Sequence, residues 1–188
     1  MMRSRPIAVL ASILLVASAC TWSLPEGDSG VIAMAPFVSD DLGIRGIAPI
    51  GWDQVEWDRF VRGGAERIED HMELHQKAVP LTLDEMNALL LEQISLEELP
   101  ESTATYDGAA LTWDLLTLDT RINGADEFTF RLKLAVAARE SESYFVAVLA
   151  LPDTYDANAT MLDAIFTHAL DAFTPVGMRG QGGHSDGR

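Results

Sequence analysis

A single cysteine, Cys20, is all the thiol chemistry that this 188-residue chain has, so no disulfide can form within it and the fold must stand on its own core. Basic residues are also scarce. Thirteen Lys and Arg face 29 Asp and Glu, a formal net charge of −16. A surface that acidic repels phosphate backbones, which argues against any nucleic-acid partner. No apolar run reaches the roughly 20 residues that a helix needs to cross about 30 Å of hydrocarbon. The chain also lacks a Gly-x-Ser-x-Gly elbow, a phosphate-binding loop and a dinucleotide fingerprint, so its motifs imply no catalytic residue, no cofactor and no metal.

What the chain does carry is concentrated at its start. Arg3 and Arg5 precede an apolar run over residues 7–19 that ends in Ala17-Ser18-Ala19-Cys20. The run is too short to span a bilayer and has the layout of a cleaved export signal. A lone cysteine directly after small residues resembles the lipobox of bacterial lipoproteins, with Ala17 where leucine is more usual. The resemblance implies a diacylglycerol on Cys20. Each buried methylene contributes about 0.8 kcal/mol, so the two or three chains of a mature lipoprotein hold permanently where one would not. Thr21, rather than aspartate, follows the cysteine and gives no inner-membrane retention signal. The expected workplace is therefore the outer face of a bacterial membrane. Removing the leader takes Arg3 and Arg5 with it and leaves 11 basic against 29 acidic residues, a charge of −18.

Composition divides the chain into a leader over 1–19, a lipidated cysteine and flexible tether over 20–34, one domain over 35–176 and a disordered glycine-rich tail over 177–188. Within the domain, apolar segments at 34–38 and 44–48 flank the turn-rich Ser39-Asp40-Asp41-Leu42-Gly43 and predict a hairpin. Residues 54–61 read as one further strand. In 68–78, Met72, Leu74 and Ala78 alternate with His71, Glu73, His75 and Lys77, which predicts a half-exposed strand. Thr82-Leu83-Asp84-Glu85 is a capping box ahead of a helix whose buried stripe is Leu83, Met86, Leu90 and Ile94.

Beyond Pro100 the period is two. Strands are predicted at 103–106, 111–118 and 128–138, joined through Asp107-Gly108 and Asn123-Gly124. Glu140-Ser141-Glu142-Ser143 turns into 144–151, which is apolar on both faces and so belongs in the middle of the sheet. A last helix is expected to begin near Asp153 or Thr154, bury Leu162, Ile165, Phe166, Ala169 and Phe173, and stop at Pro175. The sum is an α+β domain, an antiparallel meander sandwiched by helices.

The stretch Gly43-Ile44-Arg45-Gly46-Ile47-Ala48-Pro49-Ile50-Gly51-Trp52, with its strand ending in Pro-x-Gly-Trp, resembles the opening of PsbP-like domains, a family named for an extrinsic subunit of photosystem II and including LpqN-type lipoproteins. The strand-strand-helix order, the later meander and the closing helix Phe166-Thr167-His168-Ala169-Leu170-Asp171-Ala172-Phe173-Thr174-Pro175 are also similar to a module found beside serine hydrolase domains in some bacterial proteins. The resemblance covers roughly residues 35–176. It implies a helix–sheet–helix sandwich with a binding or accessory role and no catalytic residue.

Individual chemistry candidates are each met by a simpler reading. His71 and His75 could share a metal on a helix, but on a strand their backbones stand roughly 13 Å apart at about 3.3 Å per residue, which predicts a solvated face with no shared ion. Gly27-Asp28-Ser29-Gly30 has no histidine before it to activate Ser29. Asp153, Asp156, Asn158 and Thr160 alternate like calcium ligands, yet no glycine or closing glutamate completes the loop, and helix capping explains them. Among Trp22, Trp52, Trp57 and Trp113, the last belongs to a core strand, while Trp57, set between Glu56 and Asp58, is the best candidate for an exposed contact, with Trp52 second. The function expected is a non-catalytic, lipid-anchored binding or accessory module for an envelope protein or a small ligand. An enzyme with an unrecognised site predicts a pocket gathering two or more strongly perturbed acids or histidines. A purely structural envelope protein predicts neither a concave pocket nor an exposed aromatic.

Overall fold

A computed structural model describes residues 32–63, 68–94, 96–123, 125 and 127–176. The leader, Cys20, Trp22, the tether up to residue 31, the Gly27-Asp28-Ser29-Gly30 segment, Gly124 and the tail lie outside the described residues.

The chain builds an α+β domain on antiparallel sheets. Strands β1 (Met34–Ser39) and β2 (Ile44–Pro49) form the expected hairpin, and the short β10 (Thr174–Pro175) pairs with β2 to complete a three-stranded sheet. The larger sheet has seven strands in the order β3 (Asp53–Glu56), β4 (Arg59–Arg62), β5 (Met72–Val79), β9 (Glu142–Ala150), β8 (Phe130–Arg139), β7 (Thr112–Thr120) and β6 (Ala104–Asp107). As its two apolar faces require, β9 is the central strand, with β5 on one side and β8 on the other. The meander is thus β6 to β9, and β5 returns to its open edge.

Helix α1 (Leu83–Gln93) starts at the capping box read from the sequence: the Thr82 hydroxyl accepts from the Glu85 N–H, and the Glu85 carboxylate accepts from the Thr82 N–H. Met86, Leu90 and Ile94 pack on Leu116, Phe130, Leu132, Leu134, Val136, Ala147 and Leu149 of β7, β8 and β9. The opposite face of the sheet is covered by α2 (Pro152–Ala157), α3 (Ala159–Ala172) and the small sheet. There Trp113, Tyr144 and Phe173 meet edge-on, with centroids 5.2 Å and 5.8 Å from Phe173. Such aromatic pairs favour edge-to-face contact because each ring has a negative face and a positive rim.

Two expectations are corrected. Residues 54–61 are not one strand but a tight hairpin, β3 and β4, that turns at Trp57 and Asp58. A bulge between Gln54 and Glu56 absorbs the extra residue and sharpens the turn. The last helix begins earlier, with Pro152 in its first turn, where a missing N–H costs nothing, and is broken at Asn158 into α2 and α3. Asn158 bonds its own helix instead of capping the next: its amide donates to the Thr154 carbonyl.

Candidate functional site

The alternation in β5 sends Met72, Leu74, Gln76 and Ala78 to the α3 side and Glu73, His75 and Lys77 to the α1 side. From β5, Val79 alone reaches the apolar cluster beneath α1. The helix therefore covers the β7–β9 half of that face, and the β3–β5 half is left with charged side chains. Between the two halves lies a cavity of about 570 Å³. Its apolar wall includes Phe130, Phe145, Leu149, Ile68 and Ile122, and its polar wall comprises Glu56, Asp58, Arg59, His71, Glu73, His75 and Lys77.

The register sets this polar wall. Arg59 of β4 stands opposite His75 and Val61 opposite Glu73. His71, just before β5, and His75 lean inward over the intervening residue, and each Nε2 lies 2.6 Å from a different oxygen of the Glu73 carboxylate. Burial alone would push the Glu73 carboxyl up, but hydrogen bonds from His71 and His75 outweigh it and bring its pKa down to about 2. Glu73 is thus ionised and accepts from both rings. Around this trio, Arg59 pairs with Glu56 at 3.1 Å and stands 4.0 Å from Glu73, while Lys77 pairs with the buried Asp58 at 3.3 Å. Among the described residues, two polar atoms of this wall are buried with no partner, Arg59 Nε and His71 Nδ1.

The expectation that His71 and His75 occupy a solvated strand face is corrected: with Glu73 between them, both side chains are largely buried. Their backbones are far apart, yet both rings converge on one carboxylate, because residues two apart on a strand point the same way and an imidazole is long enough to lean. Among the described residues no group of three or more His, Cys, Asp or Glu is arranged to hold a metal ion. The run His71, Glu73, His75, Lys77 carried the signal of a shared face; what it lacked was Arg59 and the apolar wall, which arrive from β4, β8 and β9.

The two tryptophans stand at the ends of β3. Trp52 is partly buried against the core, and Trp57 at the hairpin tip is 68% exposed. Trp57, Gln54, Val55 and Glu56 line a shallow depression of about 250 Å³. β3 is an edge strand and all four of its residues are exposed, including Val55. Trp113 is fully buried, as its strand position predicts. The would-be calcium ligand Asp156 instead takes Arg131, which also grips Asp119 at 2.8 Å, pinning α2 to the sheet.

No protein-family model matches the sequence. No curated protein matches it either. Among solved structures, the chain is similar to cyanobacterial PsbP from Synechocystis sp. PCC 6803, at 12% identity and a TM-score of 0.43, over 80% of this chain and 97% of that one. It is also similar to the Ran-binding protein Mog1p of Saccharomyces cerevisiae, at 12% identity and a TM-score of 0.39, over 71% of this chain and 90% of that one.

Proposed function

We propose that the chain is a lipoprotein held at the outer face of a bacterial membrane through Cys20, and that its PsbP-like domain serves there as a non-catalytic binding module for a partner protein. The observation that carries the binding reading is Trp57, a large aromatic placed 68% exposed at the tip of an edge hairpin. Leaving such a side chain in water forgoes a burial worth about 1.5–3 kcal/mol, and rigid aromatic anchors of this kind dominate interface energies. The open backbone of β3 beside it offers strand-addition hydrogen bonds. The anchor rests on the leader and the residues that precede Cys20.

Mass spectrometry of the mature N-terminus tests the anchor: an acylated Cys20 is expected, and a free Thr21 or an intact Met1 refutes it. Cys20→Ser should release the chain from the membrane fraction. Cross-linking in intact cells tests the module. A discrete adduct with the native chain that vanishes in Trp57→Ala supports it, and an unchanged adduct removes Trp57 from the interface.

A further inference from the structure

At the edge opposite β3, the seven-stranded sheet is left unfinished. β7 pairs with β8 from Asp114 to Thr120 but with β6 only from Thr112 to Leu115, so residues 116–120 have a strand on one side alone. The chain between α1 and β6 passes along this gap. It is tied to β7 at both ends, where the Thr120 hydroxyl donates to the Ile94 carbonyl and the Thr103 N–H donates to the Leu115 carbonyl. Nine residue steps from Ile94 to Thr103 therefore run beside five steps of strand, roughly 17 Å at about 3.3 Å per residue, and the surplus bows away from the sheet. Between the two ties, no backbone hydrogen bond joins the described residues of this loop to β7. The bow leaves a shallow depression of about 500 Å³. We propose that this depression docks an extended segment of a partner protein that carries both leucine-like residues and lysine or arginine.

The floor supplies the apolar part of the match. Leu96, Leu99 and Leu118 line the depression half-buried, each packed on the core beneath α1 and each still reached by water. Covering them removes apolar surface from solvent. The rim supplies the charge. Glu98 and Glu101 line the depression and are exposed, and among the described residues no cation pairs with either. The third acid there, Asp119, is already held by Arg131. Two unpaired carboxylates beside an apolar floor set the sign of whatever covers it, because a like charge brought to the same rim is repelled.

That sign separates the possible occupants. A second copy of the chain brings a net charge of −16 and the same Glu98 and Glu101 to the contact, and an anionic lipid surface is repelled in the same way. A basic segment is attracted. The unpaired stretch of β7 favours an extended one, since alternate residues of a strand turn N–H and C=O to each edge and an added strand takes them up. This surface lies at the edge of the sheet remote from Trp57, so it stands or falls independently of the hairpin.

The test is a titration of the isotope-labelled full chain, followed by amide NMR, with three acetylated and amidated tetrapeptides: Leu-Lys-Leu-Lys, Leu-Glu-Leu-Glu and Ser-Lys-Ser-Lys. The leucine–lysine peptide should shift the amides of Glu98, Leu99, Glu101, Leu118 and Asp119 and saturate. The leucine–glutamate peptide should not bind, and the serine–lysine peptide should bind about tenfold more weakly for want of its apolar part. Glu98→Gln combined with Glu101→Gln should weaken the leucine–lysine peptide about tenfold. Two controls should leave it unchanged: Asp40→Asn with Asp41→Asn, which removes the same charge from the exposed β1–β2 turn, and Trp57→Ala at the other edge. They separate docking from the diffuse pull of an acidic protein. Equal binding of either comparison peptide, native affinity without Glu98 and Glu101, an equal loss in either control, or no saturation would each overturn the proposal. Hexylamine binding as tightly as the peptide would overturn it in favour of a small amphipathic amine, and a dimer in sedimentation that the paired glutamine variant strengthens would do so in favour of a second copy. Should a variant unfold, the peptide series on the native chain decides the matter by itself.

Discussion

Gly46 of β2 faces Gln76 of β5 so closely that a Cβ on the glycine would stand 2.4 Å from the glutamine Oε1. Gln76 is fully buried, and its Nε2 donates to the Ile47 carbonyl at 2.7 Å, tying the small sheet to the large one. A polar side chain at an otherwise apolar interface is tolerated because it bonds the backbone of the other sheet. The glycine supplies the space that this bond needs.

Gly46→Ala should therefore destabilise the domain by about 1–3 kcal/mol, since the added methyl must displace both Gln76 and the Phe37 ring, 2.8 Å away. Chemical denaturation followed by circular dichroism measures it. A midpoint unchanged from the native chain would mean that the two sheets can separate without loss.

Glu73 makes stability fall in strong acid. Its folded pKa of about 2 lies below the ordinary 4.5, so the stabilisation is full above the unfolded value and drains away as pH falls from about 4.5 through about 2. The effect is on the order of 3 kcal/mol. In Glu73→Gln, the slope of unfolding free energy against pH in that window should flatten. A slope equal to that of the native chain would show that the acid sensitivity arises elsewhere.

Glu140 turns β8 into β9 with a φ of 56°, in the left-handed region that costs a residue with a Cβ roughly 1–2 kcal/mol. Its neighbours Arg139 and Glu142 are paired, leaving a two-residue loop of the kind that favours asparagine or glycine. Glu140→Asn should raise stability by about 0.5–1 kcal/mol, read as a higher melting temperature. A lower one would contradict the strain.

Trp57→Ala should change folding stability by less than about 0.5 kcal/mol, because the side chain is mostly in solvent. Paired thermal melts of the native chain and the variant check this. A large loss would mean that the ring supports the hairpin, and any binding defect of the variant would then be indirect.

Much of the fold was legible because local rules act on neighbours in sequence. The Thr82 capping box, the two-residue period of β8, the doubly apolar β9 and the buried stripe of α3 each depend on a pattern within a dozen residues. The misreadings occurred where such patterns are shortest. The β3–β4 turn falls on Trp57-Asp58 without a glycine or proline to mark it, and the break at Asn158 is marked by a single asparagine between two helical stretches.

The site was half legible. Alternation grouped His71, Glu73, His75 and Lys77 on one face, but strand spacing alone argued that the histidines stand apart. It was the tertiary structure that turned both rings onto Glu73, set Arg59 across from His75 and raised Phe130, Phe145 and Leu149 as the facing wall.

The sequence by itself determined the acidic charge, the strand and helix periods and the α+β class, because these follow from residue type and near-neighbour spacing. Which half of the sheet α1 covers, and hence where a cavity opens, was decided only in three dimensions. Covering depends on how strands distant in the chain are ordered side by side, and no local pattern carries that order.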